Sequence, residues 1–227
     1  MAIAKKPDTT IAVSEPIDFT QLSVRRATRK EVTRVGEILQ DGFHDSSFFA
    51  CVDLHTTHIK AERYIFKRWS RIVNDYSYVV LYKGQVVGHF AITPANDRGL
   101  SFWKLMQYGL YQLPFRHGWT IMTRLFDLLE AESGMRQEIV EQLPPAEILD
   151  AFTITSEWRG RGIGTHILRD FILKDRPRMV LFAHKQSDAD FYERMGFRTV
   201  TQRMVPTSYG REWQNTAMEY VAPAKTA

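Results

Sequence analysis

The chain has little of what would classify a sequence at a glance. It carries a single cysteine, Cys51, so no disulfide framework can form within it, which suits a reducing compartment. No run approaches the roughly 18 apolar residues of a membrane span. The opening "MAIAKKPDTTIAVSEPIDF" holds two lysines but no continuous apolar core, so it does not read as a secretory signal. The G-x-S-x-G elbow of serine hydrolases is missing, and so is the G-x-x-x-x-G-K-[ST] phosphate loop. There is no internal repeat and no low-complexity segment. Charge of one sign is also scarce, since 30 Lys and Arg against 26 Asp and Glu leave a formal net charge of +4. That mild excess fits nucleic acid, but equally any protein that grips a polyphosphate cofactor. The basic clusters "RRATRK" and "RGR" belong to no recognisable nucleic-acid reader. His55 and His58 in "HTTH" have a separation that invites a metal, yet no third ligand has recognisable spacing. We therefore expect a cytoplasmic protein with no metal, no nucleic-acid partner and no membrane partner.

What is present is ordinary globular material: 227 residues, 44% hydrophobic and 25% charged, enough for one domain of slightly more than average size. Aromatic residues make up 12%, which supplies a sizeable core or an aromatic pocket. We expect a tail at 1–21, one domain at 22–222 and a short tail at 223–227. "SVRRAT" reads as a first strand, and Thr28 can cap the following helix with Glu31 at the capping-box position. Ile59, Ile65, Phe66, Trp69 and Ile72 mark a second amphipathic helix. "SYVVLYKGQVVGHFAIT" is two β-rich runs around Lys83-Gly84, a hairpin signal. A long segment at 100–142 has a mostly helical pattern, with breaks expected near Pro114 and Gly134. "EILDAFTIT" is a strand that runs directly into a glycine-rich turn. A helix, the strand "RMVLFAH", a short helix stopped by Gly196 and two final strands complete the order.

The turn "TSEWRGRGIGTHIL", at 155–168, carries the first chemical signal. A strand leads into a helix whose first amides have no partners within it and lie at the positive end of its dipole. Glycines let an anion approach closely, which is the physical recipe for a phosphate site. Spacing separates the kinds of loop. A dinucleotide fingerprint needs G-x-G-x-x-G, but Thr165 stands where the third glycine is wanted after Gly160 and Gly162. What remains is Arg159-x-x-Gly162-x-Gly164. Downstream, "FYERMGF" places Phe191 and Tyr192 on the short helix before Gly196.

These two motifs, in this order and on these elements, resemble the acetyl-CoA loop and the closing motif of the GNAT superfamily of acyltransferases. Within that family the likeness is greatest to the branch that acetylates puromycin, through "VRRATRKEV", the helical insert and "VTQRMVP". The resemblance implies an α/β fold: a mixed, mainly antiparallel sheet of six to seven strands flanked by helices. It also implies a splayed pair of parallel central strands and a helical insert before the cofactor-loop strand. Acetyl-CoA is the implied co-substrate, without a metal. Its pantetheine arm would pair with the backbone of Phe152, Thr153 and Ile154. Its pyrophosphate would lie on Arg159, Gly160, Arg161, Gly162, Ile163, Gly164 and Thr165. Ser156 departs from the proline often found there, and Lys185 and Asp188 stand where Asn and Ala are common.

The implied reaction is direct attack of a small-molecule amine on the thioester in a ternary complex, with antibiotic or toxin detoxification as one use. A protein or peptide acetyltransferase and a non-catalytic acyl-CoA-binding module are the alternatives. Tyr192 resembles the family's general acid. Strand alternation puts Asp150, Phe152 and Ile154 on one face, which makes Asp150 the expected base, with an ion pair to a nearby arginine as its plainer reading. Glu147, His184 and water are further candidates for the base. Phe43, Phe48 and Phe49 are expected to line the acceptor pocket, with Trp103, Tyr108, Tyr111 and Trp119 as further walls. The acceptor amine, the length of the acyl group and the choice between monomer and homodimer stay open.

Overall fold

The computed structural model describes residues 16–52, 59–94 and 106–223. His55, His58 and Trp103 lie outside the described residues, as do most of the two expected tails. Strand β1 (Leu22–Arg26) comes first. Thr28 then starts a short 3-10 turn that leads into α1 (Val32–Phe43). The capping box forms as read from the sequence: the Thr28 backbone N–H and hydroxyl both donate to the Glu31 carboxylate at 2.9 Å. Arg25 grips the same carboxylate at 2.7 Å and is the main reason its pKa falls to about 2. One turn of helix, α2 (Ser47–Ala50), carries Phe48 and Phe49. The amphipathic α3 (Ile59–Ile72) follows and packs along α1.

Among the described residues, β2 (Ser77–Tyr82), β3 (Gln85–Thr93), β4 (Glu147–Ile154), β5 (Arg178–Ala183), β6 (Arg198–Pro206) and β7 (Glu212–Val221) join β1 in one sheet. Their spatial order is β1-β2-β3-β4-β5-β7-β6. The β2–β3 hairpin turns at Lys83-Gly84, with Tyr82 opposite Gln85. All neighbours are antiparallel except β4 and β5, which pair in parallel only from Glu147–Met179 to Leu149–Leu181. Beyond Leu149 the two strands separate, so the expected splay is present. One face of the sheet packs Phe90, Ile92, Leu149, Ile154 and Met218 against α6 (Ile163–Ile167) and its π-helical continuation Leu168–Leu173. The other face packs Val79, Leu81 and Ala217 against α1, α3 and the insert.

The insert differs from its sequence reading. Pro114 sits in the first turn of the short α4 (Leu113–His117), where its missing N–H breaks no helical bond, so it starts a helix and does not interrupt one. The break falls at Gly118. From there α5 runs without interruption from Trp119 to Gln142. Gly134 lies inside it, because the packing of Leu125, Leu128, Met135 and Ile139 outweighs the weak helix preference of one glycine.

Candidate functional site

The splay between β4 and β5 opens a cavity of about 670 Å³. Its floor is the bulged part of β4, one end is the glycine-rich turn, and the other end is walled by Phe43, Phe48, Trp69 and α5. β4 pairs with β3 through Asp150 opposite Ala91 and Thr153 opposite His89. Two residues, Ala151 and Phe152, thus oppose the single Phe90. Ala151 takes the extra position with φ of 52°, a left-handed conformation uncommon for a residue with a side chain.

This bulge corrects the expected alternation. Asp150, Phe152 and Ile154 do not share a face. Phe152 and Ile154 point at α6, where each lies within 4 Å of the position a Cβ on Gly164 would take. Asp150 points to the opposite side, toward α5. An extra residue in a strand turns every later side chain over, and no pattern of apolar residues in "EILDAFTIT" announces it. The bulge is held from behind by His89. This fully buried residue has its Nδ1 3.2 Å from the Ala151 carbonyl and its Nε2 2.9 Å from Ser77 Oγ. Burial pushes its pKa down to about 4, against the opposing effect of the Ala151 carbonyl.

The glycine-rich turn enters α6 as expected. Gly162 is the N-cap with φ of 80°, which a side chain would strain, and Phe19 lies 3.3 Å from where its Cβ would be. Both arginines expected to bear on the pyrophosphate are engaged by neighbouring residues. Arg159 Nε donates to the Ile154 carbonyl at 2.7 Å, and its Nη2 donates to the Asp41 carbonyl at 3.1 Å. Asp41 in turn accepts the Ser156 N–H at 2.6 Å and the Ser156 hydroxyl at 2.8 Å. Arg159 therefore shapes the loop and ties it to α1. Arg161 stacks on the Trp158 ring, 4.9 Å from its centroid. It is absent from the cavity wall, whereas Arg159, Gly160, Gly162, Ile163, Gly164 and Thr165 form part of it. The groups that this end offers an anion are therefore chiefly the backbone amides at the start of α6.

Tyr192, on α7 (Gln186–Arg194), lines the cavity. Burial of its ring, and secondarily the Asp188 carboxylate, raise its pKa, so the phenol stays protonated and can donate. Asp150 also lines the cavity, but both its oxygens are taken. Arg136 on α5 donates to Oδ1 at 3.0 Å and to Oδ2 at 2.9 Å, and the Thr93 hydroxyl donates to Oδ2 at 2.8 Å. Glu147 lies away from the cavity, exposed and paired with Arg176 at 2.6 Å. His184 follows β5 and lines the cavity. Its ring is stacked on Phe48 at 4.9 Å and 13°, and its Nε2 is 3.4 Å from Glu132 Oε2. Phe43 and Phe48 form part of the wall. Phe49, 1% exposed, packs behind them on Phe66 and Trp69 and does not reach it. Tyr108, Tyr111 and Trp119 are not in the wall either; Tyr111 and Trp119 are exposed. The insert contributes Leu129, Glu132, Ser133 and Arg136 instead. These four recur at helical spacing on one face of α5, a signal the sequence carried but one that charged surface faces share.

A model of the "Acetyltransferase (GNAT) domain" matches residues 74–199, more than half of the chain. No curated protein matches the sequence closely enough to count as a relative. Similar solved structures include a mutant agmatine N-acetyltransferase in its apo form, 10% identical over 89% of this chain and 100% of that one, with a TM-score of 0.57. Another is a polyamine N-acetyltransferase of Drosophila melanogaster that forms N-acetylagmatine, 11% identical over 88% and 100%, with a TM-score of 0.56. A third is the C-terminal condensation domain of Ebony bound to beta-alanyl-dopamine, 11% identical over 88% and 99%, with a TM-score of 0.62. At these identities the shared property is the fold.

Proposed function

The chain belongs to the GNAT acetyltransferase family, and from that premise we propose that it transfers an acetyl group from acetyl-CoA to the amine of a small molecule by direct attack within a ternary complex. The observation that carries this reading is one continuous cavity. It joins the glycine-rich helix start, the unpaired edge of β4 and an aromatic wall, with Tyr192 along its length. A thioester donor supplies an acyl carbon open to attack by nitrogen. The residues present fit such a donor. Among the described residues no strand pairs with β4 on its β5 side beyond Leu149, so Phe152, Thr153 and Ile154 can take an extended arm as an added strand, with the Ile154 carbonyl already shared with Arg159 Nε. The amides of Gly160 to Thr165 suit a pyrophosphate, with Arg159 holding the loop in shape. Arg161, placed on Trp158, adds long-range charge only.

Tyr192 is assigned the proton for the leaving thiolate. Its ring is kept neutral by its surroundings, so the proton is present across the physiological range. Asp150, gripped by Arg136 and bonded by Thr93, holds α5 against the bulge and is engaged in an ion pair in place of facing an amine. Phe43 and Phe48 shape the acceptor end. Acetylation of an antibiotic or toxin amine is the narrower form of this reading, supported by the sequence likeness to the puromycin-acetylating branch.

The test is thiol release from acetyl-CoA with a panel of amines. Wild-type protein turns over at least one amine, and Tyr192→Phe lowers kcat by roughly 100-fold or more with acetyl-CoA affinity retained. Binding of acetyl-CoA without turnover of any amine or peptide would replace this reading by that of a binding module.

A further inference from the structure

We propose that Glu132 and His184 form the amine end of the acceptor site: Glu132 holds the incoming ammonium, and His184 takes its proton. The acceptor class that fits is a primary amine carrying an apolar or aromatic body. This rests on the acetyltransferase reading above and goes beyond it by naming the base and the kind of substrate.

Both side chains line the cavity, yet both are mostly shielded, at 16% exposure for His184 and 18% for Glu132. The Nε2 of His184 is buried and makes no well-directed hydrogen bond among the described residues. A buried polar atom in that state is unfavourable unless water or a ligand completes it, and on the wall of the cavity it is available to either. Its ring is held flat on Phe48, and its carbonyl accepts the Ser47 hydroxyl at 2.6 Å, so the orientation of Nε2 is set from two sides. Glu132 Oε2 stands 3.4 Å from Nε2 and 3.4 Å from Asn215 Nδ2. Two other acids of this wall are already matched by cations, Asp150 by Arg136 and Asp45 by Lys185 at 2.6 Å. Among the described residues Glu132 has an imidazole and an amide beside it and no full cation, which leaves its charge for an incoming one. Phe43, Phe48, Trp69, Ile72 and Leu129 surround this end with apolar surface that suits the body of the amine and repels a second charge.

The step balances without another reactant. The ammonium gives one proton to neutral His184, which later loses it to solvent. The freed nitrogen lone pair forms the C–N bond as the C–S bond breaks. The thiolate takes the Tyr192 proton, and the second proton lost by nitrogen restores the phenol. The groups facing His184 are Glu132 from α5, Phe48 from α2, and Asp188 with Lys185 beside the start of α7.

The experiment measures steady-state kinetics of wild type, Glu132→Gln and His184→Gln with 2-phenylethylamine and agmatine, from pH 6 to pH 10, with acetyl-CoA affinity as the control for folding. Glu132→Gln is expected to raise KM for 2-phenylethylamine by roughly tenfold and leave acetyl-CoA affinity unchanged. His184→Gln is expected to lower kcat roughly 100-fold at pH 7. Its deficit should shrink toward pH 10, where the amine arrives already neutral, and a merely structural role would not produce that recovery. Wild type should prefer 2-phenylethylamine to agmatine. A His184→Gln deficit equal at every pH, or no deficit at all, would overturn the proposal while leaving the acetyltransferase reading intact. Failure of wild type to turn over any amine in the wider panel would remove that reading itself.

Discussion

Asp150 shows how a residue's chemistry depends on what the chain brings beside it. A lone carboxylate in an apolar strand has to be paired or put to use, and from the sequence both outcomes were open. Arg136 decides between them with a two-pronged grip, 14 positions upstream and on another element. Asp150→Asn keeps the shape and loses the charge. We expect it to lower unfolding free energy by about 1–2 kcal/mol, since the pair is partly shielded from water. Turnover should fall less than about tenfold, as measured by denaturant melts and initial rates on the same preparation. A loss of roughly 100-fold or more at unchanged stability would restore Asp150 as the base. The place of Tyr192 on a short helix at the cavity could be read in advance for the opposite reason. Its neighbours Phe191, Glu193, Gly196 and Phe197 are contiguous in sequence, so the local helix alone fixes what stands around it. Glu132 and His184 could not be paired in advance, because only packing of α5 over the end of β5 brings them together.

At the scale of elements, most boundaries followed from local chemistry. The capping box, the Lys83-Gly84 hairpin and the glycine-rich helix start are each decided within a few residues. The bulge in β4 is not. It exists because β3 and β4 must keep register on both sides of Phe90 while His89 holds the Ala151 carbonyl. Its neighbour α1 is fitted closely to it. A Cβ on Gly42 would lie 2.2 Å from Thr153 Oγ1, so the helix can approach β4 only where it has no side chain. Gly42→Ala is therefore expected to cost about 1–3 kcal/mol and to weaken acetyl-CoA binding, because the same strand end carries the Thr155–Ser156 turn that Asp41 anchors. Thermal melts and a binding titration check this. Adding Thr153→Ala should recover part of the loss, since the clash with the Thr153 Cβ, at 2.7 Å, remains. Full additivity of the two changes would count against the contact as the cause.

For the whole molecule, the consequence of burying His89 is a dependence of stability on pH. The folded chain holds its pKa at about 4, below the ordinary 6.5. Above pH 6.5 neither state is protonated there and stability is undiminished. As pH falls from 6.5 toward 4, the unfolded chain takes up a proton that the folded chain refuses, so stability declines, by roughly 3 kcal/mol in all. Glu31, whose folded pKa is about 2 against 4.5, loses its contribution only below about pH 4.5. The window from 6.5 to 4.5 thus separates the histidine from Glu31, while Asp188, its pKa raised by burial, acts with the opposite sign. His89→Gln should flatten the fall of Tm in that window, and an unchanged slope would place the dependence elsewhere. Within this chain the sequence by itself determined the order of elements, because caps, turn residues and hydrophobic period act over short separations, while the sheet class and the splayed pair were implied by the family resemblance that the motifs at 159–164 and 191–197 carry. The tertiary structure alone decided the β4 bulge, the partner of Asp150, the retreat of Phe49 into the core and the meeting of Glu132 with His184. Each of these depends on packing between residues distant in sequence or on different elements, which spacing along the chain does not encode.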